Sequence, residues 1–394
     1  RYDRGGLIMA VHQEHFDGGR TGMNLLDRVL QINLVLVLLI CLPALVGFAM
    51  LYSAAGGDME PWATPQIIRF GFGLIIMFGA ALVDIRFWLK SAYIIYAGAF
   101  ALLIGVELIG NSAMGAQRWV DIGPFQLQPS EIMKIALVMA LARYFHTVAI
   151  EDIKRITALI PPLILILAPA ALVLRQPDLG TAALLATSGA MMLFLAGLRL
   201  WKLGVAFVGL IGAIPIAWQF LRDYQKIRIL TFINPESDPL GAGYHILQSK
   251  IAFGSGGIFG KGFLGGTQSH LNFLPEKQTD FIFTMLAEEF GLVGGIALLL
   301  LYLALIAYGT VISLRCNSQF GRMLGMGIVA TFFLYVFINM AMVMGLVPIV
   351  GVPLPLISYG GSAMLTLLFG FGLVLNVYIH RDLQIGRRLH HIRA

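Results

Sequence analysis

Residues 273–309 read FLPEKQTDFIFTMLAEEFGLVGGIALLLLYLALIAYG. A polar stretch ends at Asp280, and an almost unbroken apolar run begins at the next residue. Crossing the hydrocarbon core of a bilayer takes about 20 mainly apolar residues, so this run reads as a membrane span with a carboxylate at its mouth. Two further acids, Glu288 and Glu289, lie inside it. An ionisable group in a span is expensive unless it is paired or wetted. Three acids at one membrane edge therefore call for a function or for partners.

The rest of the chain repeats the pattern. Of its 394 residues 58% are hydrophobic and 12% charged, with a mean hydropathy of +0.83, whereas a soluble domain carries about 25% charged residues. The composition specifies an all-α polytopic membrane protein. Ten apolar stretches qualify as transmembrane helices: 31–53, 66–84, 91–110, 131–148, 157–174, 179–197, 202–220, 281–308, 322–348 and 357–379. Residues 221–280 form one long extracytoplasmic loop between spans 7 and 8. The domain reading is a tail over 1–22 (disordered, or an expression remnant), a ten-span membrane domain over 23–380, and a basic tail over 381–394. No internal repeat is visible, which weighs against an inverted-repeat transporter.

Lys and Arg collect in cytoplasmic loops. Arg28, Arg86, Lys90, Arg143, Arg199, Lys202, Arg315, Arg322 and the tail arginines fall on one side, against only Arg118 and Arg175 in the short loops of the other. Both termini are thus expected in the cytoplasm, with Asp280 facing out. A pI of 9.3 follows from this topology and implies no nucleic acid partner. Cys41 and Cys316 lie in different environments, so neither a disulfide nor a cysteine metal site is expected.

The polar groups that topology leaves unexplained cluster at the outer face. Pro129 and Ser130 read as a helix start with Glu131 in the first turn. Lys134, three residues on, shares its face and suits an ion pair. Arg118 and Trp119 either hold an anionic lipid-linked substrate or anchor the interface. Asp178 after Pro177 reads as an N-cap, while Arg175 runs against the topology rule. Lys250 and Lys261 steer a pyrophosphate or merely solvate the loop. GKGFLG at 260–265 matches a dinucleotide fingerprint, but no strand precedes it and it lies outside. The segment Tyr244–Phe253 suits an amphipathic helix on the membrane. Asp280 itself is a helix N-cap or a reactive group. Glu288, eight residues on, points the same way but deeper, and Glu289 lies about 100° further round. They line an outward-opening polar cavity, or they pair with Arg69 or Lys134 and lock helices together.

Taken together, GAQRW (115–119), QPSE (128–131) with Lys134, QPDLGT (176–181), PESDPLGAGYHILQSKIAFGSGG (235–257), GTQS (266–269), LPEKQTDFIF (274–283) and VGVPLPLISYGGSAM (350–364) resemble the SEDS family of shape, elongation, division and sporulation proteins. The likeness runs from about residue 24 to 380. It is greatest to the elongation-type RodA branch, on the strength of the long loop, and smaller to the division-type FtsW branch. The resemblance implies a peptidoglycan glycosyltransferase of the bacterial inner membrane that polymerises lipid II, a disaccharide-pentapeptide on undecaprenyl pyrophosphate. It implies a class B penicillin-binding protein as transpeptidase partner, further elongation-complex membrane proteins, and a divalent cation (Mg or Mn) whose ligands the motifs do not locate. Asp280 is then the residue required for activity, with Trp119, Glu131 and Lys134 also important.

The chemistry asks for the same parts. An acceptor hydroxyl needs a base, and a departing pyrophosphate needs positive charge. The expectation is inverting transfer with Asp280 as base or metal-assisted base, and Lys134 with Arg118 or Arg175 at the leaving group. A lipid II flippase and a non-catalytic scaffold are the competing expectations.

Overall fold

A computed structural model describes residues 23–386 outside 110, 114–115, 123–124, 149–154, 156, 177, 200, parts of 203–222, 235–241 and 268–275. The expected tail over 1–22 and most of the tail over 381–394 lie outside the described residues. Helices α1 (Leu25–Leu30), α2 (Leu34–Ala54), α3 (Ala63–Leu82) and α4 (Ile85–Ile109) lead to three short strands, β1 (Asn111–Ala113), β2 (Ala116–Ile122) and β3 (Phe125–Leu127). Next come α5 (Pro129–Thr147), α6 (Ile160–Arg175), α7 (Leu179–Leu195), α8 (Asp223–Ile233) and α9 (Ala242–Gly256). The chain closes with α10 (Ile282–Leu314), α11 (Gln319–Val343) and α12 (Gly361–Ile379).

Seven of these helices are long and apolar enough to cross a membrane. The chain is therefore an integral membrane protein. Every expected span except 202–220 coincides with a helix. In that one only part of the residues is described, and those are helical. Helix α5 carries Glu131, Lys134 and Arg143 and yet runs almost wholly buried through the middle of the bundle. It can do so because α4, α7 and α11 surround it and shield its polar end from lipid.

Small residues let the helices close up. A Cβ at Gly372 of α12 would lie 2.5 Å from the Met77 carbonyl of α3, and one at Gly73 would lie 2.3 Å from the Leu368 side chain. The loop between α4 and α5 is an antiparallel meander in the order β1-β2-β3, an element that hydropathy does not reveal.

Two departures from the expected spans shape the half of the molecule that holds Asp280. The run over 281–308 is not one helix. Gly291 has φ 65 and ψ −161, a break inside α10 in a region that only glycine occupies without strain. The chain folds back there. A Cβ at Gly295 would lie 3.8 Å from the Phe283 ring, whereas an unbroken helix separates residues twelve apart by about 18 Å.

The break exposes backbone groups, and the loop after α9 satisfies them. Lys261 and Gly262 N–H donate to the Glu288 and Glu289 carbonyls at 3.0 and 2.9 Å, and Leu292 and Val293 N–H donate to Gly257 and Ile258 at 3.0 and 3.1 Å. Residues 292–314 alone span about 34 Å at 1.5 Å per residue, enough to cross the bilayer. Glu288 and Glu289 therefore sit at the N-terminal end of that span, and Asp280 lies deeper in the bundle. This reverses the order expected from an unbroken helix.

The second departure is the stretch between α11 and α12. It is apolar enough to read as the ends of two spans, but its backbone is irregular over 345–360. It dips into the bundle. The Tyr302 hydroxyl, about 15 Å into the second half of α10, donates to the Pro355 carbonyl at 2.6 Å. Non-helical backbone survives at membrane depth only where protein or a cavity covers it, and here it does both.

Candidate active site

Three elements converge on that re-entrant loop. The first is the start of α5. Gln128 is the N-cap residue and Pro129 occupies the first turn, where its missing N–H costs nothing. Glu131 and Lys134 then point into the bundle, 5% and 2% exposed. The Lys134 ammonium donates to Glu131 Oε1 at 2.7 Å, and the Tyr335 hydroxyl of α11 donates to Oε2 at 2.7 Å. Lys134 also meets the Tyr335 hydroxyl directly. The carboxylate is held at both oxygens, as a charge buried this deeply requires.

The second element is the start of α7. Asp178 Oδ1 accepts the Thr181 N–H at 3.1 Å and Oδ2 accepts the Thr181 hydroxyl at 2.9 Å, an N-cap that also faces the cavity described below.

The third element is the turn Glu276–Asp280 before α10. The expected cap role for Asp280 is not what forms: Phe281 occupies the cap position of α10 and no side chain bonds there. The turn is instead clamped from outside. Tyr359 N–H donates to the Gln278 carbonyl at 2.9 Å, and the Ser358 hydroxyl donates to Thr279 at 2.6 Å. Gln66 of α3 holds Ser358 in turn at 3.0 Å. The Asn339 amide of α11 donates to the Asp280 carbonyl at 3.0 Å. The Thr279 hydroxyl donates to Glu276 Oε2 at 2.9 Å. Burial of Lys277 pushes its ammonium below the ordinary lysine value. The Asp280 carboxylate is half-buried. Gly351 borders it, a Cβ there standing 3.6 Å from Oδ2, and its φ of 69 is what favours glycine at that position.

These elements enclose a cavity of about 570 Å³. Its walls include Trp119, Gln126 and Gln128 from the meander and α5 approach, then Glu131, Lys134 and Asp178. Glu276, Thr279 and Asp280 line the opposite wall, with Tyr335 and the loop residues Val350–Pro353 and Tyr359. The structure thus brings together Trp119, Glu131, Lys134, Asp178 and Asp280. Beneath Lys134 the bundle closes on Ile135, Ile328, Phe332 and Phe371, leaving about 20 Å³.

The other residues singled out from sequence lie elsewhere. Glu288 is fully buried and accepts from Lys261 at 2.8 Å and from Thr267 at 3.1 Å. Glu289 accepts from Ser53 of α2. Both tie the break in α10 to its neighbours, and neither pairs with Arg69 or Lys134. Arg69 lies 4.8 Å from the centre of the Tyr359 ring, at the cavity rim. Arg175 is 73% exposed and pairs with Glu107 at 3.5 Å. Lys250 is exposed on α9, whose Ser249 side packs into the bundle through Thr284 and the Val343 carbonyl. The side chain of Arg118 lies outside the described residues. Cys41 and Cys316 are both free thiols.

Sequence reasoning passed over three residues. Glu276 falls in the LPEKQTDFIF motif, within the expected loop 221–280. Tyr335 and Asn339 lie within an expected span and are uncharged, so a search restricted to ionisable groups missed them. Polar residues of any kind in a span were the available signal.

A divalent cation suits this cavity in one mode only. Among the described residues no cluster of three or more His, Cys, Asp or Glu forms a metal cage. Magnesium, however, commonly binds through one or two carboxylates plus substrate phosphates. The walls carry four carboxylates, Glu131, Asp178, Glu276 and Asp280, against the single ammonium of Lys134. Glu276 and Asp280 share one wall of the cavity, and two carboxylates beside a substrate pyrophosphate match that mode.

Comparison with known proteins gives a consistent answer. Residues 30–383 match the sequence profile of the FtsW/RodA/SpoVE cell cycle proteins. The chain is 47% identical over 348 residues to the peptidoglycan glycosyltransferase MrdB of Escherichia coli K12, covering 88% of this chain and 94% of the relative. It is 32% identical over 408 residues to the peptidoglycan glycosyltransferase RodA of Treponema pallidum, covering 84% and 94%. Among solved structures, a chain from a peptidoglycan synthase complex that coordinates polymerisation and crosslinking superposes with a TM-score of 0.78 at 32% identity, over 89% of this chain and 98% of that one. The rod-shape-determining protein RodA of Thermus thermophilus gives 0.67 at 30% identity, over 89% and 97%.

Proposed function

This chain belongs to the FtsW/RodA/SpoVE family and is a peptidoglycan glycosyltransferase of the elongation type, and from that premise we propose how its outer cavity polymerises glycan. The substrate is lipid II, its undecaprenyl chain in the bilayer and its sugars in the cavity on the outer side of the bacterial inner membrane, both termini being cytoplasmic. The observation that carries this reading is the cavity of about 570 Å³ with Asp280 on one wall and the Glu131–Lys134 pair on another.

Asp280 takes the proton of the acceptor sugar's 4-hydroxyl, which is a weak nucleophile until that proton leaves. The freed oxygen attacks the donor carbon that bears the pyrophosphate, and undecaprenyl pyrophosphate departs from the opposite face with inversion. Trp119 lies on the cavity wall where a sugar ring packs. Lys134 is committed to Glu131 and Tyr335, and the pair is internally neutral. It shapes the floor more than it neutralises a leaving group, and Arg175 is exposed and does not line the cavity. Glu276 and Asp280 would hold the divalent cation, which when bound supplies positive charge at the pyrophosphate. Closure of the bundle beneath Lys134 suits polymerisation, which needs no path through that floor. A class B penicillin-binding protein is the proposed transpeptidase partner, alongside elongation-complex membrane proteins.

The test is a polymerisation assay on the purified chain with lipid II, with and without the transpeptidase partner and with and without chelator. Long glycan that depends on the cation supports the reading. Absence of glycan in every arm, with the chain folded and partner-bound, contradicts it.

A further inference from the structure

Helix α11 touches both walls of the cavity from a single face. Tyr335 and Asn339 are one helical turn apart, about 6 Å along the axis, and so lie side by side on that face. Tyr335 meets the Glu131–Lys134 pair, donating to Glu131 Oε2 at 2.7 Å. Asn339 is fully buried and donates twice, to the Asp280 carbonyl at 3.0 Å and to the Val352 carbonyl at 2.7 Å. Both of those partners are carbonyl oxygens, so the amide nitrogen must face them and the orientation is fixed. Its Oδ1 has no partner among the described residues. A buried polar atom left unsatisfied is a cost, and it is tolerated here where the amide joins the Asp280 turn to the re-entrant loop.

We infer that Tyr335 and Asn339 are positioning residues for the transfer, which together fix the separation between Asp280 and the Glu131–Lys134 pair. Asn339 acts on the Asp280 backbone and on Val352, beside Gly351 and the Asp280 carboxylate. Tyr335 acts on the opposite wall. α11 is the most buried of the seven long apolar helices, which makes it a stiff ruler between them. The inference rests on Asp280 being the base.

The experiment measures kcat and KM for lipid II polymerisation in Tyr335→Phe and Asn339→Leu, each with its partner protein, well below the melting temperature and normalised to folded protein. Asp280→Asn runs beside them. A displaced base loses transition-state geometry and spares substrate affinity. kcat is expected to fall about ten- to a hundredfold with KM within twofold of wild type. A merely structural role lowers thermal stability and leaves kcat of the folded fraction unchanged. Rates within twofold of wild type, or a rise in KM alone, overturn the inference. If Asn339→Leu does not fold, Tyr335→Phe, which loses one hydroxyl and keeps its ring, decides the matter by the same criteria. An inactive Asp280→Asn beside fully active α11 variants overturns only this inference. A fully active Asp280→Asn removes the base assignment beneath it.

Discussion

Replacing Lys134 by Met keeps the side chain's volume and removes its charge. Glu131 is then left 5% exposed with the Tyr335 hydroxyl on one oxygen and nothing in place of the ammonium on the other. Breaking a buried ion pair from one side costs about 3–5 kcal/mol, because the remaining charge has no water to return to. Glu131→Gln strands the Lys134 ammonium in the same way and should cost a similar amount. The double variant Glu131→Gln with Lys134→Met carries no buried charge. It loses the hydrogen bonds of the pair, worth about 1 kcal/mol each, and no desolvated ion.

The double variant should therefore be more stable than Lys134→Met by about 2 kcal/mol, although it has one more substitution. Equilibrium unfolding of the purified proteins in mixed micelles, followed by tryptophan fluorescence, measures this. Polymerisation should be impaired in all three. If Lys134→Met lies within about 1 kcal/mol of wild type, or if the two single losses simply add, the pair is not the buried, mutually dependent unit described here.

Gly291→Ala should destabilise by about 3 kcal/mol or more, combining backbone strain of about 1–3 kcal/mol with a Cβ 2.4 Å from Gly260 N; the same unfolding assay checks it. Gly79→Ala, in open space on α3, should be neutral or stabilising by up to about 1 kcal/mol. His380, just past α12, has its imidazole held below the ordinary histidine value chiefly by burial. The unfolded chain binds a proton there before the folded one does, so stability is full above about pH 6.5 and falls as pH drops below it. Melting curves from pH 7.5 to 5 should show that fall in wild type and a smaller one in His380→Gln.

Much of the fold was legible because a bilayer permits so few solutions. Backbone polar groups in lipid must be satisfied internally, in these apolar runs by helix, so apolar length marked the long helices, but not the shorter α1, α8 and α9. The two misread places are where that rule is met by tertiary contact. Gly291 is one glycine among 45, and what makes it a break is the loop 257–262 supplying partners to the freed groups, a contact invisible in local sequence. Residues 344–348 and 357–360 continue the apolar runs of the flanking spans, so hydropathy could not tell the two ends of the re-entrant loop from helix.

The cavity followed the same division. Asp280, Glu131 and Lys134 stood out because ionisable groups in a membrane are costly. Glu288 and Glu289 stood out for that reason too, but they lie just before the break at Gly291 and are taken up by contacts with Lys261 and Ser53. Tyr335 and Asn339 bear no charge, and only the packing of α11 against both walls reveals them.

Asp280→Asn is the most direct measurement of all. Phe281 occupies the cap position of α10 and Asp280 meets Asn339 through its backbone, so the substitution keeps the shape of the turn and removes the carboxylate's negative charge, its basicity and its proposed hold on the cation together. With thermal stability and partner binding held at wild-type levels, polymerisation of lipid II by the purified complex should fall by about a hundredfold or more. Glycan made at the wild-type rate would mean that the proton goes to some other group.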